Sequence, residues 1–341
     1  MPAYEPSGTG DFLYLTIRRA SLNTRDVVQS LSTALEVQDS LVGFAGLKDK
    51  HAITTQTFSL PLAKLLGAEG TSSEFSTSEF STIEREVRQR LEDVPDLTLL
   101  SLNRHQNSLK RGHLKGNAFS ILVRDLRFLQ PGTDAELQSE LHGAAQRLIQ
   151  DGMLNLFGSQ RFGKEGSTLQ QGLSYMQGKK TRKWLLDLGM SAVQSYVFNH
   201  YLRIRYERGD LHNLVDGDLA VKSDSGGLFK VPEASAEMDR FKAGEICYTG
   251  PMFGRKMRSP EGPSRALEQA ALDYAGKTEE DFKAMKVSGA RRAALVFLHD
   301  LKLEWPDQDS VWLHFSLPAG AYATVAMSHL IHLEENSERD I

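Results

Sequence analysis

GFAGLKDKHAITTQTFSLP, residues 43–61, changes character halfway along. Its first half, read with Leu41 and Val42, is an apolar run that predicts a short buried strand over residues 41–47. The strand delivers the polar stretch KDKHAITTQ to its carboxyl end, a common address for reactive groups. One carboxylate, Asp49, stands there between Lys48 and Lys50. Neighbouring cations favour the ionised carboxylate, which is the form a nucleophile needs. By composition alone, an aspartate capping a turn is the commoner reading.

Upstream, FLYLTIRR (residues 12–19) puts Leu13, Leu15 and Ile17 on one face and Phe12, Tyr14 and Thr16 on the other, which predicts a strand. A helix follows, capped by Asn23 or Thr24, with Val27, Val28, Leu31, Ala34 and Leu35 at helical spacing. Downstream, SEFST occurs twice, at residues 73–77 and 78–82; too short and polar for a structural repeat, it reads as an expanded surface loop over residues 67–82. LTLLSLN (97–103) and NAFSILVR (117–124) read as strands, and residues 135–149 as a helix. Residues 191–208 form the clearest helix, with Val193, Val197, Tyr201 and Ile204 on one face. SVWLHFSL (310–317) alternates as a strand, PAG breaks it, and residues 322–333 read as a closing helix.

A chain of 341 residues is long enough for two domains, or for one domain with a large insertion. A single cysteine, Cys247, excludes an intrachain disulfide and a site built from several thiolates, and fits a reducing compartment. There is no cationic segment leading into an apolar core at the amino terminus and no run of eighteen apolar residues, so a cytoplasmic location away from membranes is expected. The formal net charge of −4 argues against a polyanionic partner until its distribution is considered. Between Asp96 and Asp125 no acidic residue interrupts Arg104, Lys110, Arg111, Lys115 and Arg124. A second basic stretch holds Arg161, Lys164, Lys179, Lys180, Arg182 and Lys183, and a third Arg255, Lys256, Arg258 and Arg265. One such run is ordinarily a solvated face; three on an acidic protein shift the reading toward a polyanionic partner.

Several chemistries lose their entry points, since no dinucleotide fingerprint, zinc-protease HExxH pair or GxSxG elbow is present. GSQRFGKE (158–165) has phosphate-loop spacing, but Glu165 stands where a magnesium-binding hydroxyl is required and would repel phosphate. His329, His332 and Glu335 share helical spacing near the carboxyl end, where a wet terminal turn is the simpler reading than a metal site.

Taken in order, GFAGLKDKHAITTQ, HLKGNAFSILVR, LNLFGSQRFG, SAVQSYVFN, VDGD and LPAGAYAT cover nearly the whole chain, and together they resemble the TruD family of tRNA pseudouridine synthases. The resemblance implies an α/β fold: a catalytic domain with a central, mostly antiparallel mixed sheet (residues 1–151 and 297–341), interrupted by an inserted α/β domain (residues 152–296). It implies isomerisation of one uridine in tRNA, at position 13 by family expectation, with no cofactor and no obligatory protein partner. Asp49 becomes the catalytic residue, Asn117, Tyr322 and Lys48 substrate contacts lining one pocket with it, and Arg104, Lys110, Arg111, Lys115 and Arg161 the RNA-binding residues. Two departures are visible. Tyr322 replaces the family's usual phenylalanine, and the family's amino-terminal E-D-F-x-V motif has no counterpart before Phe12. The alternative is an RNA-binding protein of impaired catalysis on the same scaffold.

Overall fold

The computed structural model describes residues 3–65, 77–110, 112–127 and 133–332. The chain divides into two compact units, Met1–Asn117 and Ala118–Ile341.

The first unit is built on β1 (Phe12–Ala20), followed by α1 (Thr24–Leu35), β2 (Gly43–Phe44), β3 (Ile53–Pro61), α2 (Thr77–Glu92) and β4 (Leu97–His105). The sheet order is β2-β3-β1-β4 with every pairing antiparallel. As the alternation requires, Leu13, Leu15 and Ile17 are buried, and they pack with Val27, Leu31 and Leu35 of α1 and Ile83, Val87 and Leu91 of α2. Asn23 caps α1: its side chain accepts from the Arg25 and Asp26 amides while Asp26 accepts from the Asn23 amide. That leaves the hydroxyl of Thr24, the first helical residue, free for other work.

Two expectations fail here. The strand expected over residues 41–47 is confined to Gly43–Phe44, because Gly46 takes a positive φ (+81°) that turns the chain and leaves Leu47 71 % exposed. The loop expected over residues 67–82 is helical from Thr77 onward; Ile83, Val87 and Leu91 recur at helical spacing, are buried, and draw the preceding turn into α2. The first SEFST copy lies almost wholly outside the described residues.

The second unit opens within β5 (Gly116–Val123) and continues through α3 (Asp134–Asp151), β6 (Met153–Leu154), α4 (Ser167–Met176), α5 (Lys183–Glu207), β7 (Leu219–Lys222), β8 (Leu228–Lys230), α6 (Ala234–Lys242), β9 (Ile246–Met252), α7 (Gly262–Tyr274) and α8 (Glu279–Ala284). It ends with β10 (Ala290–Ala293), β11 (Leu295–Val296), β12 (Lys302–Glu304), β13 (Val311–Pro318) and α9 (Ala323–Ser328). Two cores form. In one, Leu141, Ala145 and Leu148 of α3 meet Val311, Leu313, Phe315 and Leu317, the inward face of β13 in the sheet β12-β13-β5. In the other, Val193, Val197, Phe198 and Tyr201 of α5 meet Ile246 and Tyr248 of β9, from the sheet β10-β9-β7-β8, and Leu267 and Ala271 of α7. β6 and β11 pair with each other, Leu154 opposite Leu295 and Met153 opposite Val296, where the chain passes from one core to the other and back.

α5 starts eight residues before the expected helix of residues 191–208. Gly189, within the added stretch, is a close-packing position: a Cβ on Gly172 of α4 would lie 2.2 Å from its carbonyl oxygen. α9 is shorter than the expected helix of residues 322–333. The amides of Leu330 and Ile331 both return to the Met327 carbonyl, closing a turn rather than extending the helix. Among the described residues no helix is long and apolar enough to cross a membrane.

Candidate active site

In the first unit, β3 pairs with β1 along its full length, from Phe12 opposite Pro61 to Ala20 opposite Ile53. The segment between β2 and β3 therefore forms a loop at the end of the sheet where β1 finishes. Asp49 stands on this loop, exposed, with Lys50 and His51 exposed beside it. Lys48 turns inward, and its ammonium donates to the Oδ1 of Asn117, at the start of β5. Burial lowers the Lys48 pKa, the positive charge of Arg19 lowers it further, and Asp49 opposes both. A lysine can only donate, so it fixes which way the Asn117 amide points, and the Asn117 NH2 is left as a donor for a ligand. Asp49, Lys48 and Asn117 are thus brought together across 69 residues of sequence. Beneath the loop, Thr24 and Gln56 hold its backbone: the Lys48 amide donates to Thr24 Oγ1 (2.9 Å) and Gln56 Nε2 to the Gly46 carbonyl (2.9 Å).

Lys110 and Lys115 are exposed, and Arg111 lies outside the described residues. Arg104 is already engaged, its Nε donating to the Gly10 carbonyl (2.9 Å) and its guanidinium lying 5.7 Å from the centre of the Phe80 ring.

In the second unit, Tyr322 follows the PAG turn and opens α9. Its ring meets Phe157 edge-on, with centroids 6.0 Å apart. The same Phe157 ring carries two guanidinium groups, Arg292 at 4.0 Å and Arg161 at 5.3 Å. Arg292 is held by the carbonyls of Asn155 (3.0 Å) and Gly320 (3.0 Å) and by Asn155 Oδ1 (2.5 Å). Burial, with Arg161 nearby, pulls its pKa down to about 10 against the opposing influence of Tyr322. Among the described residues neither arginine forms an ion pair with a carboxylate. The Arg161 Nε is buried without a hydrogen-bond partner. A flat aromatic beside two cations on a shared ring is suited to a base and its phosphate. Of these residues Phe157 and Arg292 went unread in the sequence; Phe157 carried a signal in its place just before GSQRFG, whereas Arg292, in a strand, carried none. That motif itself forms two short turns around Gly163, whose φ is +79°, and follows a strand of only two residues, unlike a phosphate loop.

No group of three metal-binding side chains occurs among the described residues, and Glu335 of the histidine set lies outside them.

Comparison with known proteins places these two constellations in context. The family model described as tRNA pseudouridine synthase D (TruD) matches residues 1–180 and 171–330. The chain is 35 % identical to a tRNA pseudouridine synthase D of Anaeromyxobacter sp. (strain Fw109-5), across 97 % of this chain and 88 % of the relative. It is 34 % identical to one from Thermus thermophilus, across 98 % of this chain and 85 % of that relative. Its fold is similar to the crystal structure of a chain assigned to tRNA pseudouridine synthase D in Methanosarcina mazei, with a TM-score of 0.70 at 22 % identity, covering 97 % of this chain and 90 % of that one. The α/β architecture with antiparallel sheets agrees with that fold, and the chain belongs to the tRNA pseudouridine synthase D (TruD) family.

Proposed function

We propose that this chain isomerises a uridine of tRNA to pseudouridine, with Asp49 as the catalytic carboxylate. The observation that carries this reading is an exposed aspartate on a loop fixed from beneath, beside a lysine and asparagine already locked together. The reaction breaks the N1–C1′ bond and joins C5 to C1′, while a proton leaves C5 and N1 gains one. Atoms balance without a cofactor. An ionised carboxylate serves either by attacking C1′, as in retaining glycosidases, or by taking the C2′ proton.

A uracil within folded RNA is stacked and must be extruded before either route opens. Tyr322 offers the flat surface for the extruded base, and Arg161 and Arg292 offer positive charge to its phosphate. Asn117, oriented by Lys48, offers a donor to a uracil carbonyl or a ribose oxygen. Lys110, Arg111, Lys115 and Arg104 are read as backbone contacts that position the RNA without reading its sequence. Position 13 of tRNA is the family expectation for the target. The second core, residues 152–296, is read as the inserted domain, a reading supported by the β6–β11 pair at its two ends.

The test is single-turnover conversion of unmodified tRNA transcripts. Asp49→Asn keeps shape and polarity but can act neither as nucleophile nor as base, so it should abolish pseudouridine formation while RNA affinity stays within a few fold. Turnover by that variant removes Asp49 from the role, and RNA binding by the wild type without any pseudouridine favours a non-catalytic scaffold.

A further inference from the structure

Arg19 is an unusual residue to find where it is. It continues the inward face of β1 set by Leu13, Leu15 and Ile17, and is 2 % exposed, while its neighbour Arg18 faces solvent. A buried guanidinium ordinarily meets a carboxylate. This one forms no ion pair among the described residues; Nη1 donates to Gln56 Oε1 (3.0 Å), Nη2 to Thr24 Oγ1 (3.1 Å), and Nε has no partner. Thr24 and Gln56 are themselves 1 % and 5 % exposed.

Donor and acceptor capacity gives this cluster a direction. Arginine can only donate, so it turns the oxygen of the Gln56 amide inward and sends the Nε2 outward, where it donates to the Gly46 carbonyl. The Thr24 hydroxyl donates to the same Gln56 oxygen (3.2 Å), and its two lone pairs accept from Arg19 and from the Lys48 amide. Every site on that hydroxyl is filled, and reversing any one bond would leave two groups facing each other with the same polarity. Both outputs of the network end on backbone atoms of the loop, one on each side of Leu47, immediately before Asp49. Leu47 is exposed, so burial of its side chain contributes little to holding the segment.

We propose that Arg19, Thr24 and Gln56 are positioning residues for catalysis: a buried clamp, keyed by a donor-only cation, that fixes the Gly46 carbonyl and Lys48 amide and so aims Asp49. The proposal rests on Asp49 as the reacting carboxylate. None of the three touches substrate. Among the described residues, the hydrogen bonds that these three side chains make outside their own cluster both end on the loop backbone. Misplacing a reacting group by about 1 Å costs on the order of 10²-fold in rate, which sets the scale of the effect.

The test compares Thr24→Val, which keeps shape but removes all three hydroxyl bonds, with Thr24→Ser, which keeps the hydroxyl. Three quantities are measured well below the unfolding temperature: the single-turnover rate at saturating tRNA transcript, the transcript dissociation constant, and hydrogen exchange at the Lys48 amide with the Leu15 amide as internal reference. Thr24→Val should slow conversion by about 10- to 100-fold with RNA affinity within threefold. It should also speed Lys48 exchange relative to Leu15, and Thr24→Ser should restore both. Gln56→Leu is a second route to the same outcome through the Gly46 carbonyl. Unchanged Lys48 exchange in Thr24→Val overturns the clamp, as does faster exchange with an unchanged rate, or a loss of rate that follows Leu15 exchange. Failure of the functional reading looks different: Asp49→Asn remains active, while the exchange arm still reports the clamp.

Discussion

Arg19 in the first unit and Arg205 in the second are both almost completely buried, and the two are built in opposite ways. Arg205, in α5, is wholly buried and saturated: Nη1 meets both oxygens of Asp218 (3.0 and 3.1 Å) and the Tyr201 hydroxyl (3.0 Å), and Nη2 meets the Asn213 carbonyl (2.6 Å). Its guanidinium also lies 3.7 Å from the centre of the Tyr248 ring. Burial alone would lower its pKa, but Tyr201, Asp218 and Tyr248 outweigh burial and raise it. For Arg19 burial wins and the pKa falls, with only the more distant Asp26 opposing. A cation with its counter-ion ties elements of a core together. One surrounded only by neutral dipoles adds little to folding, and its retention has to be sought in what its partners hold.

The largest expected effect follows from removing the better-paired residue. Arg205→Ala strands the Asp218 carboxylate in the core, and breaking a buried pair in this way costs about 3–5 kcal/mol; denaturant unfolding of purified protein measures it. Arg19→Met removes a buried charge that has no counter-ion, so its unfolding free energy should stay within about 1 kcal/mol of wild type while conversion of tRNA falls. Equal destabilisation by the two variants would erase the distinction between them. Cys247 supplies the finest probe. Burial pushes its thiol up to about 11, and Arg205 and Asp218 are among the charges that reach it. Thiol reagents should therefore label it slowly in the native protein. Arg205→Ala should accelerate labelling, Arg19→Met should not, and rapid labelling of the wild type would show that the core around Arg205 opens readily.

What could be read from sequence divides along the same line. Strands of strict alternation were legible, as at Leu13, Leu15 and Ile17 or at Val311, Leu313, Phe315 and Leu317, because one buried face imposes a period of two. The helix cap at Asn23 was legible as one of two candidates. The segment at Thr77 was misread because two polar repeats masked the apolar spacing that begins at Ile83, and α5 begins eight residues ahead of the helix expected over residues 191–208. In the site, Asp49 stood out through its flanking lysines. The bond from Lys48 to Asn117 joins a loop residue to one 69 positions away in sequence, which no local pattern encodes. Arg19 left a faint trace, since it shares the parity of Leu13, Leu15 and Ile17, but in the adjacent pair Arg18–Arg19 charge alone does not say which member faces inward. Phe157, Arg292 and Tyr322 come from three separate stretches, Tyr322 and Arg292 each meeting the Phe157 ring, and only the folded chain brings them together.

The pairing of β6 with β11 has a consequence for how such a chain could change length over time. Directly opposed residues of an antiparallel pair lie about 4.5–5.5 Å apart at their Cα atoms. The polypeptide thus departs after Leu154 and comes back at Leu295 through a doorway that a two-residue hairpin could close. A change in the number of residues between Leu154 and Leu295 therefore need not alter the register of β12 against β13 or the inward face of Val311, Leu313, Phe315 and Leu317, provided Phe157, Arg161 and Arg292 still reach Tyr322.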